Sequence, residues 1–354
     1  MAARPDAPPS PGPHGPGESA ILHGATQVAE MRRRLASLMN PEGPLGLSMA
    51  LDLMEVRNPS AEQLEYAHLI AETHREGLHA ASLFLARSDL VDLIHEAAPT
   101  MPDQELNDYD VIVPNGLVMF ETPLPDSSGQ PPLYPLHAMS WMTLEEGHPL
   151  LARRGGEGKT LLLTSYVATR DVAAEAYGAE AGGLVEGAPR WLPSSTVAWQ
   201  FGSLIGEVYG QAPPEGKNTP GFFQRALAAF WTLTQQTKLT SSGTAPQGRP
   251  KDQRKARRQG VVDPTAPVSV VRLQRSVPAL ATPTGESDRV DAEGSGRRVS
   301  VRFPVRPFWR RQWYPSVGEH RHVLIMGHWR GPDDAPVVHG ERVFLAMPPA
   351  PPKG

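Results

Sequence analysis

Apolar and polar positions in the first hundred residues recur at helical spacing. Residues 25–39 form one such segment, which predicts a first helix. Ser60 and Gln63 begin a later segment in the arrangement of a capping box. An apolar stripe then repeats every seven residues, at Leu64, Ala71, Leu78 and Leu85. This stripe predicts a long helix over about residues 60–98, with a break allowed near Ser88.

From residue 109 onward the pattern changes to short apolar runs separated by Gly/Pro-rich stretches, which is typical of strands and turns. Residues 109–124 predict two strands across a Pro-Asn-Gly turn, and residues 221–237 predict a helix. Further strands are predicted at residues 136–144, 159–169, 195–204, 268–275, 297–305, 320–327 and 341–347. Without parallel βαβ alternation, this order predicts an α+β fold with N-terminal helices, a mainly antiparallel β body and a small C-terminal β-module.

The 38 prolines and 33 glycines concentrate at the chain ends and in connecting stretches, and they mark the domain boundaries. Residues 1–20 are Pro-rich and polar, so we expect a disordered tail. The remaining divisions are an acidic α+β body at 21–245, a basic flexible linker at 246–263, a basic C-terminal β-module at 264–349 and a tail at 350–354.

Charge is distributed unevenly along the chain. The formal net charge is −4, yet residues 249–330 hold 17 Arg and Lys against 7 Asp and Glu, a net of +10, which leaves −14 for the rest. A basic segment of this kind attracts phosphates, which favours a nucleic-acid partner. The alternative is that the basic module docks on the acidic body of its own chain.

Several classes of protein are disfavoured by composition. The chain has no cysteine, so it has no disulfide, no thiolate nucleophile and no thiolate metal site. The N-terminal residues lack the apolar region of a secretory signal, and no run of 18 apolar residues is present. We therefore expect a cytoplasmic protein without a membrane span, and no residue pattern calls for a cofactor.

Three motifs resemble known chemistry but fit it poorly. The stretch "GGEGKT" at 155–160 lacks the first glycine of a P-loop, because Arg153 stands there, and it leads into a predicted strand. Glu157 and Lys159 match the Glu-x-Lys of metal-dependent nucleases, but their nearest acidic partner is Asp126 in a turn. His68, Glu72 and His79 fall near one helix face without a second ligand pair. We predict no metal site.

The strongest candidate for function is the basic, aromatic C-terminal part of the chain. Arginines bind phosphates bidentately, and an indole ring offers a platform for base stacking. The predicted nucleic-acid-binding residues are Arg254, Lys255, Arg257, Arg258, Arg310, Arg311, Trp313, Arg321 and Arg330. In the alternative interpretation the tryptophans form the core of the module and the arginines stack on them.

The same stretch also supports an enzymatic hypothesis. A rigid hairpin at Tyr314-Pro315 would allow a polar pocket whose residue types serve acid–base and nucleophilic chemistry. The candidate pocket residues are Gln312, Tyr314, His320 and His328. Their spacing identifies no catalytic triad. Three histidines on one predicted strand, at 320, 322 and 328, extend too far along it to share one metal ion.

The C-terminal stretch resembles the signature of a family of uncharacterised proteins from high-GC Gram-positive bacteria, their plasmids and phages. The family pattern is His-Trp-Arg-x-Gln-Trp-Tyr-Pro-Ser, then His-Arg and Trp-Ile, then Lys/Arg-Gly-Pro. The matching residues are Trp309, Arg310, Gln312, Trp313, Tyr314, Pro315, Ser316, His320, Arg321, His328, Gly331 and Pro332. Phe308 replaces the usual His, and Leu324 stands where Trp is typical. The resemblance covers about residues 25–347 and implies a phage or mobile-element setting without an assigned activity.

Three functional hypotheses follow, in order of preference. The first is a non-catalytic, nucleic-acid-associated protein that binds phosphates through its basic linker and its Arg/Trp-rich module. The second is a hydrolase or nuclease-like effector with a polar pocket in the C-terminal module. The third is a scaffold for protein partners, whose identity the residues do not indicate. Whether the chain is an enzyme stays open at this point.

Overall fold

The computed structural model divides the chain into two compact units, residues 1–277 and residues 278–354. Only the backbone is described for residues 16–22, 303–305 and 328–330. The described residues are 16–43, 45–54, 56–125, 134–153, 158–178, 188–204, 221–245, 254, 258, 267–274, 303–305, 307–316, 318–326 and 328–330. Within these ranges no helix is long and apolar enough to cross a membrane.

The first unit contains seven helices and seven strands within its described residues. The helices are α1 (Pro16–Leu38), α2 (Gly46–Leu53), α3 (Ala61–Ala80), α4 (Ser88–Ala97), α5 (Pro149–Arg153), α6 (Thr169–Tyr177) and α7 (Phe222–Gln235). The strands are β1 (Ser82–Ala86), β2 (Asn115–Leu124), β3 (Leu136–Leu144), β4 (Thr160–Ala168), β5 (Trp191–Gln200), β6 (Thr240–Thr244) and β7 (Val268–Leu273). A short 3-10 helix follows α4 at Ala98–Thr100.

All seven strands form one mixed sheet in the order β5-β4-β3-β2-β1-β7-β6. The pairs β2–β3, β3–β4, β4–β5 and β6–β7 are antiparallel. The α+β class and the mainly antiparallel sheet are therefore confirmed. Strand β1 departs from this pattern because it runs parallel to both β2 and β7.

The parallel pairing of β1 and β2 corrects one expectation. The order β1-α4-β2 is a βαβ unit, and the sequence predicts that none is present. Strand β1 has only five residues, and the connection to β2 contains α4, the short 3-10 helix and a further stretch with little regular structure. Hydrophobic periodicity does not reveal strand direction, because parallel and antiparallel neighbours bury the same alternating side chains.

The predicted long helix over residues 60–98 is wrong, since the structure divides it into α3, β1 and α4. Leu85 continues the apolar stripe of α3 but lies in β1, whose last four residues are buried. A short apolar run of this kind fits a buried strand and a buried helix equally well. The allowed break near Ser88 is where α4 begins, and Glu121 of β2 accepts hydrogen bonds there from the backbone N–H and Oγ of Ser88, each at 2.9 Å.

The start of α3 is confirmed in detail. The Ser60 side chain accepts a hydrogen bond from the Gln63 backbone N–H at 3.2 Å, and the Gln63 side chain accepts one from the Ser60 N–H at 2.8 Å. Helix α1 covers the predicted segment 25–39 but begins at Pro16. Residues 16–20 of the predicted disordered tail are therefore helical, while residues 1–15 lie outside the described residues.

The segment before β2 is not the strand that the sequence predicts. Strand β2 begins at Asn115, and residues 109–114 form turns and bends. This segment is held against β3 instead, because the indole Nε1 of Trp141 donates to the Val113 carbonyl at 2.8 Å. The Thr143 N–H donates to the Pro114 carbonyl at 2.9 Å. Carbonyls that would pair in a strand are thus satisfied by neighbouring groups.

Helices cover both faces of the sheet, because successive strand residues point to opposite sides. On one face, α1 and α3 pack over β1 and β2, with Met31 and Leu85 fully buried between them. On the other face, Phe84 contacts Trp141 of β3 and Phe230 of α7, with ring centroids 5.8 Å apart in both pairs. This aromatic cluster is completed by Trp199 and Trp231.

The C-terminal part of the chain divides differently from the prediction. Strand β7, which the sequence assigns to a module starting at residue 264, lies in the large sheet between β1 and β6. Residues 246–263, predicted as a linker between two domains, therefore connect two neighbouring antiparallel strands. The predicted strand at 341–347 and the tail at 350–354 lie outside the described residues.

The described residues of the second unit form β8 (Phe303–Val305), β9 (Phe308–Tyr314), β10 (Glu319–Ile325) and β11 (His328–Arg330). Strands β9 and β10 form an antiparallel hairpin, and β8 pairs antiparallel with β11. The turn follows Tyr314 as predicted, and the Gly318 N–H closes it on the Tyr314 carbonyl at 2.9 Å. Gly318 has a φ of 68°, a conformation that glycine adopts without strain.

Candidate nucleic-acid interface

The β9–β10 hairpin has two chemically different faces. Side chains alternate along each strand, and directly opposite residues share a face. The face that we call the Trp face carries Trp309, Arg311, Trp313, His320, His322 and Leu324. The opposite face carries Phe308, Arg310, Gln312, Tyr314, Glu319, Arg321, Val323 and Ile325. Aromatic and cationic groups therefore occur on both faces, in different arrangements.

On the Trp face an indole ring is open to solvent beside cationic and imidazole groups. Trp313 is 49% exposed, and its ring centroid lies 4.9 Å from that of His320 at an interplanar angle of 52°. Arg311 is exposed and has no acidic partner among the described residues. Burial lowers the pKa of His322, and the charge of the facing Arg311 lowers it further, so that imidazole stays neutral near pH 7. The exposed end of this face therefore combines a π surface with an accessible guanidinium.

On the opposite face the arginines are held by their own neighbours. The Arg310 guanidinium donates to the Gln312 side chain at 2.7 Å. Arg321 lies 3.5 Å from the Glu319 carboxylate, and its guanidinium carbon is 6.0 Å from the centroid of the Tyr314 ring. These contacts resemble the alternative interpretation, in which arginines pack against the aromatic residues of the module. Of the predicted phosphate-binding arginines in the hairpin, Arg311 is the least engaged.

The candidate enzymatic pocket is not assembled by this hairpin. Gln312 and Tyr314 lie on one face and His320 lies on the other, so His320 points away from the other two side chains. His328 belongs to β11, a different strand, and its side chain is outside the described residues. The sequence could not show this, because the strand boundaries and the pairing register decide which residues of two strands share a face.

The remaining predicted contacts lie partly outside the description. Arg254 and Arg258 are exposed and have helical backbone conformation. They are four residues apart in sequence, which is about one turn of a helix. Lys255 and Arg257 lie outside the described residues, as does the side chain of Arg330 in β11. Residues 246–263 contain six basic and two acidic residues, a net of +4. Arg254 and Arg258 can therefore be reached by a ligand from solvent.

The structure also shows the surroundings of the three motifs that fit known chemistry poorly. Thr160 begins strand β4, so the "GGEGKT" stretch leads into a strand, as predicted. The Lys159 ammonium donates to Asp108 at 2.7 Å, which raises its pKa, and lies 3.4 Å from Glu145. His68 and His79 are both exposed. Among the described residues no three His, Asp or Glu side chains are grouped to hold a metal ion.

Sequence reasoning missed two other histidine environments. His74 of α3 is 1% exposed, and its Nε2 has no hydrogen-bond partner among the described residues. His137 of β3 pairs with Asp171 of α6 at 3.0 Å. The two residues of this pair are 34 positions apart, on elements whose contact is set by the sheet order. No local spacing signals such a pair before the topology is known.

Comparison with protein-family models, with curated protein sequences and with solved structures gives no significant match to this chain. The resemblance to the phage and plasmid family therefore stays a prediction from the C-terminal signature.

Proposed function

We propose that this protein is a non-catalytic, nucleic-acid-associated protein that binds single-stranded RNA or DNA through the Trp face of its β9–β10 hairpin. The observation that carries the proposal is the exposed indole of Trp313 beside His320 and Arg311. Tryptophan is enriched at binding interfaces, because its ring contributes a large apolar area while its N–H can still find a hydrogen-bond partner. Single-stranded nucleic acids supply a partner for such a ring, because every base has a π face that can stack on an aromatic side chain.

Cationic groups supply the second part of the interaction. Arg311 on the Trp face would pair with a phosphate next to the stacked base, since its guanidinium has no acidic partner among the described residues. The exposed Arg254 and Arg258, in the connection between β6 and β7, would add further phosphate contacts. Binding through phosphates releases counterions, so the affinity would fall as the salt concentration rises.

The replacement Trp313→Ala tests the stacking contact. We expect it to weaken binding of a short single-stranded oligonucleotide by about 5-fold to about 150-fold, because one stacked base contributes about 1–3 kcal/mol. Phe308→Ala is the matched control, since Phe308 is 42% exposed in the same hairpin but lies on the opposite face. Fluorescence anisotropy with labelled RNA and DNA measures both. Equal affinities for the wild type and Trp313→Ala, or equally weakened binding in the two variants, would refute the proposed interface.

The basic connection is tested by replacing Arg254, Lys255, Arg257 and Arg258 together with Ala. We expect the slope of log affinity against log salt to decrease by up to about 0.7 for each phosphate interaction that the replacement removes. The control replaces the three arginines with Lys, which retains the charge and is expected to retain the slope. A slope that is identical in all three proteins would show that this segment does not bind phosphates.

A further inference from the structure

A second cluster of charged side chains lies in the first unit, at one edge of the large sheet. His137 is near the start of β3, Asp171 is in the first turn of α6 after β4, and Arg190 immediately precedes β5. Since β3, β4 and β5 are antiparallel neighbours, the start of β3, the end of β4 and the start of β5 meet at the same edge. The topology therefore brings these distant residues together.

His137 and Arg190 line a cavity of about 190 Å³ together with Thr169, Arg170 and Trp191, among others. Its wall is held by backbone contacts, because the Thr169 N–H donates to the Arg190 carbonyl at 3.1 Å and the Thr169 hydroxyl donates to the Pro189 carbonyl. Trp191 is buried, at 4% exposure. The Arg190 guanidinium stacks on its ring, with the guanidinium carbon 4.7 Å from the ring centroid.

Basic side chains outnumber acidic ones among the described residues that line this cavity. The two carboxylate oxygens of Asp171 are both engaged, one with His137 Nε2 at 3.0 Å and the other with Arg170 Nε at 3.4 Å. Arg190 has only its stacking contact with Trp191 and no acidic partner among the described residues. Among the described residues, the lining of the cavity therefore holds two guanidinium groups, an imidazole and no carboxylate, and Asp171 pairs with His137 and Arg170 beside it.

We propose that this cavity binds the phosphate group of a small phosphorylated molecule. Arg190 would donate bidentately to the phosphate, since its stacked guanidinium is already oriented. Asp171 fixes the orientation of the His137 ring through Nε2, so Nδ1 can donate to the phosphate in the imidazolium form of the ring. A volume near 190 Å³ is below the range of about 300–1,000 Å³ that drug-sized ligands need, so it suits one phosphate with few attached atoms.

A phosphate suits this site better than a carboxylate does. A carboxylate carries one negative charge, which Arg190 alone would balance, whereas a phosphate monoester carries close to two charges near pH 7. The additional charge can also interact with Arg170, which lines the same cavity and is already paired with Asp171. This inference is independent of the proposed nucleic-acid interface, because the two sites share no residue.

Inorganic phosphate is the probe for the first experiment, added to the full chain in a calorimetric titration at constant ionic strength. We expect saturable binding with a Kd of about 1 mM. Arg190→Gln is expected to weaken it at least about tenfold, since it removes a hydrogen bond to a charged group. Arg153→Gln is the control, because Arg153 is an exposed arginine paired with Glu65 elsewhere. No binding to the wild type, or equally weakened binding in the two variants, would overturn the proposal.

Two further measurements separate this site from general anion binding. The NMR signal of the His137 ring, assigned through its absence in His137→Gln, is expected to shift as phosphate is added to the wild type. Acetate is expected to bind at least about tenfold more weakly than phosphate at the same ionic strength. A shift confined to other histidines, or equal affinity for acetate, would contradict the phosphate site. Trp313→Ala is expected to bind inorganic phosphate with unchanged affinity, because the two sites share no residue.

Discussion

Lowering the pH from about 7 to about 4 is expected to remove about 3 kcal/mol of the free energy of unfolding through His74 alone. Burial lowers the pKa of this imidazole from 6.5 to about 4 in the folded protein. Below pH 6.5 the unfolded chain binds a proton that the folded chain does not bind until about pH 4, so acid favours the unfolded state. The contribution of His74 is complete above pH 6.5 and is lost progressively between these two values, at 1.36 kcal/mol per unit.

The replacement His74→Leu isolates this contribution, since leucine fills a similar volume and does not titrate. We expect urea unfolding to show a flatter pH dependence for His74→Leu than for the wild type between about pH 7 and pH 4. His68→Leu is the matched control, because His68 is exposed on the same helix and should leave the wild-type pH dependence intact. If the wild type and His74→Leu lose equal stability on acidification, His74 takes up its proton without cost and the expectation fails.

Replacing Trp141 with Ala is expected to cost about 3–5 kcal/mol of the free energy of unfolding, the largest effect of a single substitution that we predict. Trp141 is 1% exposed, stacks on Phe84 at 5.8 Å and meets Trp231 edge-on at 5.5 Å. Gly116 of β2 leaves room for its indole, since a Cβ there would lie 2.2 Å from the ring. Truncation would therefore leave a cavity that the sheet and α7 cannot close.

The control for this substitution is Trp313→Ala, which removes the same atoms from a side chain that is 49% exposed. We expect Trp313→Ala to change the free energy of unfolding by less than about 1 kcal/mol, as is usual at the surface. Urea titrations followed by far-UV circular dichroism compare the two without relying on tryptophan fluorescence. Comparable destabilisation in both variants would show that the aromatic cluster around Trp141 is not a tightly packed core.

Features of the fold that depend on neighbouring residues were predictable from the sequence, and those that depend on distant pairing were not. The capping box at Ser60 and Gln63 is a local arrangement, so its residues identify it directly. Strand β1 is not recognisable from the sequence, because Leu85 continues the helical spacing of the apolar stripe of α3. Strand β7 was assigned to the wrong unit because its partners, β1 and β6, are recognisable only from the assembled sheet.

The same distinction applies to the candidate sites. The turn after Tyr314 is indicated by the Tyr-Pro pair and by Gly318. Strand β9 is not among the predicted strands, and the exposure of Trp313 and Arg311 depends on how β9 pairs with β10. The separation of Gln312 from His320 required the strand register. The cavity at His137, Asp171 and Arg190 has no sequence signal, because its members come from three elements that only the antiparallel order of the sheet brings together.

The position of residues 246–263 between β6 and β7 has a consequence for how this protein can diverge. Thr244 and Ser269 are paired, so the connection leaves and re-enters the sheet at points about 5 Å apart. Doubling the length of such a connection costs only about 0.6 kcal/mol. We therefore expect a longer connection to cost little stability, and replacement of the exposed Arg254 and Arg258 to cost little as well. Selection could adjust the basicity of this segment while the sheet around β1 stays unchanged.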